Sequence, residues 1–143
     1  MRSDMRKKIA AIVICSLLVL GGAFALSACK GNANKAPSTV ADFTSSNQTS
    51  GNVTMVNYQV IVNADADWNS MSTSDRQKII DYAFAQARQD IAANDVSYYN
   101  IMGKSQATAD QDSQMLFMFD KDNNQVLIYV DGQVADQVAP PAE

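Results

Sequence analysis

Residues 56–91, VNYQVIVNADADWNSMSTSDRQKIIDYAFAQARQDI, change their hydrophobic period once, and that change sets the fold class. In the first part Val56, Tyr58, Val60 and Val62 alternate with Asn57, Gln59 and Asn63, the period-two pattern of a strand with one buried face. Further on, Ile79, Ile80, Ala83, Phe84, Ala87 and Ile91 fall along one stripe of an α-helix, with Lys78, Asp81, Arg88 and Gln89 off it. Ser72 with Asp75, or Ser74 with Gln77, supplies the N-terminal cap, and Asn94 suits the left-handed position that ends the helix near Ala93.

Downstream, Val96–Met102 has strand composition and stops at Gly103, and residues 104–113 read as a polar loop. The runs MLFMF (115–119) and VLIYV (126–130) are apolar on both faces and flank DKDNNQ, whose Asp and Asn residues favour turns, so they predict a hairpin. Asp131-Gly132 predicts another turn, with a short edge strand over 133–135. The element order is β-α-β-β-β: an α+β domain over 52–138, one helix on an antiparallel sheet of about four strands. Pro140 and Pro141 lead to the expectation of a disordered tail over 139–143. Met55, Met71, Met102, Met115 and Met118 are expected mainly as core filler, with a Met-lined groove as the alternative.

The N-terminus follows different rules. Arg2, Arg6, Lys7 and Lys8 form a basic segment, and residues 9–25 are apolar apart from Ser16 and Gly21-Gly22. Leu26-Ser27-Ala28-Cys29 then matches, in order, the Leu, two small residues and Cys of the bacterial lipobox, so residues 1–29 resemble a lipoprotein precursor. The resemblance implies cleavage after Ala28, a diacylglyceryl lipid on Cys29, and residence on the extracytoplasmic face of the cell membrane. One acyl chain holds a protein only marginally and two hold it firmly, so a single lipidated cysteine suffices as an anchor. Residues 29–51, rich in Ser, Thr, Asn and Gly, then read as a flexible tether.

Processing of this kind restricts the chemistry. Cys15 leaves with the signal peptide, Cys29 is alkylated, and the chain has no histidine. Disulfides, Cys or His zinc sites, Cys-His nucleophiles and Ser-His-Asp triads are thereby excluded from the mature chain. Residues 30–143 carry 7 Lys plus Arg against 14 Asp plus Glu, a net charge of about −7, so nucleic acid is not an expected partner.

Two constellations remain as candidate sites. Asp120, Asp122 and Asn124 match positions 1, 3 and 5 of a calcium loop and Asp131 matches position 12, but Gln125 replaces the glycine of the bend and Asp replaces the bidentate Glu. A hairpin turn accounts for the same residues, and no metal or other cofactor is expected. Trp68, Tyr98 and Tyr99, near Asp65 and Asp67, form a candidate aromatic platform for a glycan or peptide; the plainer reading makes Trp68 a plug between helix and sheet. Together these features predict a lipid-anchored, non-enzymatic binding domain for a protein or cell-envelope partner. The alternative is a regulator of a secreted hydrolase, because one helix against an antiparallel sheet is similar to the cystatin-like arrangement.

Overall fold

The computed structural model describes residues 35–107 and 109–143. The expected signal peptide, the expected lipidation site Cys29 and the first part of the expected tether lie outside the described residues. Residues 36–143 form one compact unit. Its elements are β1 (Val40–Ser50), β2 (Val53–Val62), a single 3-10 turn (Trp68–Ser70), α1 (Thr73–Asn94), β3 (Tyr98–Ser105), β4 (Met115–Asp120), β5 (Gln125–Val130) and β6 (Gln133–Val138).

The six strands lie in chain order in one sheet. All neighbours are antiparallel except β2 and β3, which run parallel with Tyr58 opposite Ile101. The α+β class with one helix on a sheet is observed, but six strands replace the expected four and the sheet is mixed. The parallel pair follows from the length of α1. Its 22 residues at ~1.5 Å each cover ~33 Å, the same distance as the ten residues of β2 at ~3.3 Å. The helix therefore returns the chain to the end where β2 began, and β3 starts in the same direction. This departs from the wholly antiparallel sheet on which the cystatin-like reading rests.

The helix begins as its sequence predicts: Ser72 is the N-cap and its Oγ accepts the Asp75 N–H at 3.1 Å. It ends one residue later than expected, on Asp95 rather than Asn94, with Asp95 at φ 51°. Ile79, Ile80, Ala83, Phe84 and Ala87 are buried against Val56, Tyr58, Val60 and Val62 of β2, with Ile101, Phe117, Val126 and Ile128 completing the core. Each large side chain buried there contributes roughly 1.5–3 kcal/mol.

Two features of β3 and β4 arrange this core. The register between them slips at Gly103/Lys104, where Gly103 opposes Phe117 and Lys104 opposes Met115. Leu116 is thus an extra residue, a bulge that lets Leu116 and Phe117 both be buried. Gly103 has no side chain because the Phe117 ring occupies its place; a Cβ there would sit 2.1 Å from Phe117 Cε1.

Two of the expected boundaries change. Residues 40–50, expected within the tether, form β1, joined to β2 by the two-residue turn Gly51-Asn52 with Gly51 at φ 61°. Backbone pairing along all of β2 holds this strand, together with the packing of Val40 and Phe43 on the core. The chain is tied down even earlier, since Asn63 donates its N–H to Thr39 O at 2.8 Å and its Nδ2 to Ser38 O at 3.0 Å. The expected disordered tail is also tied down: Arg88 donates Nη2 to Pro141 O at 2.7 Å and Nη1 to Ala142 O at 3.1 Å.

Candidate functional site: an open sheet face and a polar cleft

The sequence-predicted aromatic platform is not assembled. Trp68 is buried, stacks on Phe117 with centroids 6.0 Å apart, and donates Nε1–H to Tyr129 O at 2.9 Å. Arg76 holds this plug from outside: it lies over the indole at 5.5 Å and donates Nε–H and Nη2–H to Trp68 O at 3.0 and 2.8 Å. Tyr99 turns toward the core, edge-on to Tyr58 at 6.5 Å, with Lys121 Nζ 4.0 Å above its ring. Only Tyr98 is free, 54% exposed at the start of β3, which lies at the end of the sheet where α1 finishes.

The calcium-loop residues are separated in the same way. Asp120 closes the β4–β5 turn, accepting Asn123 Nδ2–H at 2.8 Å and Gln125 Nε2–H at 3.3 Å. The Asn123 side chain, aided by Gln125, holds the Asp120 carboxyl below its ordinary value. Asp131 lies past the far end of β5, where its Oδ1 accepts Asn69 Nδ2–H at 2.9 Å. Six strand residues between them set positions 1 and 12 roughly 20 Å apart, so Asp120, Asp122, Asn124 and Asp131 do not converge. Among the described residues no group of three or more acidic, His or Cys side chains is placed to hold a metal ion.

Strand alternation and register define a surface that neither constellation predicted. The helix covers one face of the sheet, and the residues between the buried ones point to the other. One row crosses all six strands: Thr44, Gln59, Met102, Met118, Leu127 and Gln137 are successive partners. Its middle three are apolar and only half-buried. Beside them on the same face lie Ile61, Lys104 and Met115, and on the other side Asn57 and Asn100, whose amides hydrogen-bond at 2.8 Å. None of Met55, Met71, Met102, Met115 and Met118 is buried, which corrects their reading as core filler; only Met71 packs against the core cluster. The other four alternate with core residues along β2, β3 and β4 and so face outward. Alternation marks Met55 and Met102 as facing outward, but in MLFMF the two Met residues share a face only because Leu116 and Phe117 share the bulge.

A second concave feature sits where α1 ends. It is a cleft of about 600 Å³ whose lining includes Ser45, Asn47, Thr54, Asp90, Asn94 and Tyr98. Its principal carboxylate is already engaged: Asp90 Oδ2 accepts the Tyr58 hydroxyl at 2.5 Å and Oδ1 accepts Asn94 Nδ2–H at 2.6 Å. Burial and this bond hold the Tyr58 phenol well above its ordinary value. Hydroxyls and amides in this arrangement can bind a ligand by hydrogen bonding.

Among the described residues no helix is long and apolar enough to cross a membrane. A scan against protein-family models, a search of curated proteins and a search of solved structures each find no match.

Proposed function

We propose that the chain is a lipoprotein, anchored through Cys29 on the extracytoplasmic face of a cell membrane, whose domain binds a protein partner without catalysis. The observation that carries the binding role is the sheet face opposite α1, on which no described element packs, with Met102, Met118 and Leu127 half-buried at its centre and amides around them. Thioether side chains adapt to irregular apolar surfaces and recur where a protein must accommodate a partner. The partner this surface suits is a basic protein with exposed apolar side chains, because residues 36–143 carry five Lys and Arg against fourteen acids. The lipobox residues Leu26-Ser27-Ala28-Cys29 support the anchor.

The test has two independent readouts. Metabolic labelling with a radioactive fatty acid is expected to mark the chain and to be abolished by Cys29→Ala; an unlabelled parent chain overturns the anchor. For the face, a photo-crosslinking residue at position 118 or 102 is expected to capture one discrete partner in intact cells, whereas the same residue at position 78 on the exposed side of α1 does not. Capture must also be lost on Leu127→Glu with the fold unchanged by circular dichroism. Equal capture from positions 118 and 78 overturns the face as the binding surface.

A further inference from the structure

The two edges of the sheet are built differently. Edge strands expose unpaired backbone N–H and C=O groups, and folded proteins commonly blunt them with charge, bulges or local caps. β6 has all three: Asp136 is charged, Asp136 Oδ1 takes the Gln137 N–H at 2.8 Å, and a register slip between Ile128 and Tyr129 leaves Ala135 as an extra residue. The start of β1 is treated alike, since Asp42 Oδ1 takes the Phe43 N–H at 2.8 Å and a slip occurs between Val40 and Asp42. From Thr44 to Ser50 these devices stop. The seven residues TSSNQTS are uncharged, contain no Pro, and pair with β2 in unbroken register from Thr44↔Gln59 to Ser50↔Val53. Among the described residues no side chain caps an N–H in this stretch.

We infer that Thr44–Ser50 is a self-pairing edge, on which a second copy of this chain adds its own β1 antiparallel about a two-fold axis at Asn47. In that register Thr44 faces Ser50, Ser45 faces Thr49, Ser46 faces Gln48, and Asn47 faces itself. Every pair joins hydroxyl or amide side chains that donate and accept, and Thr49 already bonds in this way to Thr54 at 3.1 Å within the hairpin. Charge is the main obstacle to a second copy, because two acidic domains ordinarily repel. Here the nearest charge on the strand, Asp42, falls outside the paired stretch, so no like charges face each other along the two strands. An unrelated apolar strand gains less, since Thr44–Ser50 is polar throughout and exposed, with no apolar side chain to pack against. The pairing is isologous and closes at two copies, with the blunted β6 edges outermost, so it gives a dimer rather than a fibre. This inference is independent of the lipid anchor and of the open-face partner.

The experiment uses the full chain in mild detergent. Asn47→Cys places two thiols on the axis, where a shared dimer holds them at effective concentrations of order millimolar. Oxidation is expected to convert this variant to a disulfide dimer at least about tenfold faster than Asp136→Cys on the β6 edge. The parent chain, treated in parallel, reports any crosslink through Cys15 or Cys29. Sedimentation of the parent, corrected for bound detergent, is expected to give twice the single-chain mass read for the same sample by denaturing mass spectrometry. Asn47→Lys and, separately, Gln48→Lys are expected to give the single mass with an unchanged circular dichroism spectrum. A monomeric parent chain, or an Asn47→Cys variant that oxidises no faster than Asp136→Cys, overturns the inference.

Discussion

The hydroxyl of Tyr58, on the central part of β2, donates to Asp90 Oδ2 on the last turns of α1 across 2.5 Å. The ring is fully buried, so this single bond carries the polar end of a core residue out to the rim of the cleft. Tyr58→Phe keeps the packing and loses the bond to a charged acceptor, and urea unfolding is expected to show a loss of about 1.5–3 kcal/mol.

The same pair sets a pH dependence. Burial first, then the bond to Asp90, raises the Tyr58 phenol above its ordinary value of 10.0, and burial raises Tyr82 in the same direction. Above pH 10 the unfolded chain releases these protons while the folded chain keeps them. Stability is therefore whole below pH 10 and falls as pH rises toward the folded value. Urea midpoints measured from pH 8 upward are expected to fall less steeply for Tyr58→Phe, with Tyr82 responsible for the slope that remains.

Trp68 is the only tryptophan, and its stack on Phe117 together with the bond to Tyr129 O fastens the helix entry to β4 and β5. Trp68→Ala is expected to cost about 3–5 kcal/mol by thermal or urea unfolding followed by circular dichroism. In the parent chain the native emission is expected to be blue-shifted and to move to the red in one step with unfolding.

Gly103 and Phe117 occupy one volume between them. Gly103→Ala is expected to destabilise by about 1–3 kcal/mol, because the added methyl meets the face of a buried ring that has nowhere to turn. Pairing it with Phe117→Leu is expected to cost less than the sum of the two single changes, a coupling that a double-mutant cycle reads directly.

Because Asp120 and Asp131 sit at opposite ends of β5, millimolar calcium is expected to leave the thermal midpoint of the chain unchanged, and equally that of Asp120→Asn. The depressed carboxyls of Asp120 and Asp67, each held by a neighbouring side chain, act at the acid end instead. Their contribution is present above the ordinary carboxylate value and is lost as pH falls below it, so Asp120→Asn is expected to flatten the acid limb of the stability curve.

How far the fold was readable depends on where each residue's neighbours lie in the chain. α1 and β2 bury a face of their own, so Ile79 to Ala87 and Val56 to Val62 carried their periods openly. β1 did not, because beyond Phe43 it extends past the helix and buries neither face, leaving TSSNQTS with no period to read. Its one local sign was Gly51-Asn52, a two-residue hairpin turn followed by a strand. The parallel direction of β3 was hidden for another reason: composition marks strands, but direction depends on matching the length of a helix to that of a strand. The Met face was hidden by the bulge at Leu116, which makes a run apolar on both sides resemble a fully buried strand. Trp68 as a plug was readable from its place just before the helix, whereas the separation of Asp120 from Asp131 required knowing that the six residues between them are extended.

The backbone bonds at Ser38 and Thr39 change the scale on which the proposed anchor would act. With Ser38 and Thr39 bonded to Asn63, the covalent reach from an anchor at Cys29 to Ala36 would be no more than ~25 Å. A tether running to residue 51 would let the domain search a volume several times wider and meet partners deep in the envelope. On so short a lead the domain, anchored as proposed, would work as a membrane-level fixture: partners would come to the bilayer surface to meet it, and neighbouring copies, confined to one thin layer, would encounter each other as if concentrated.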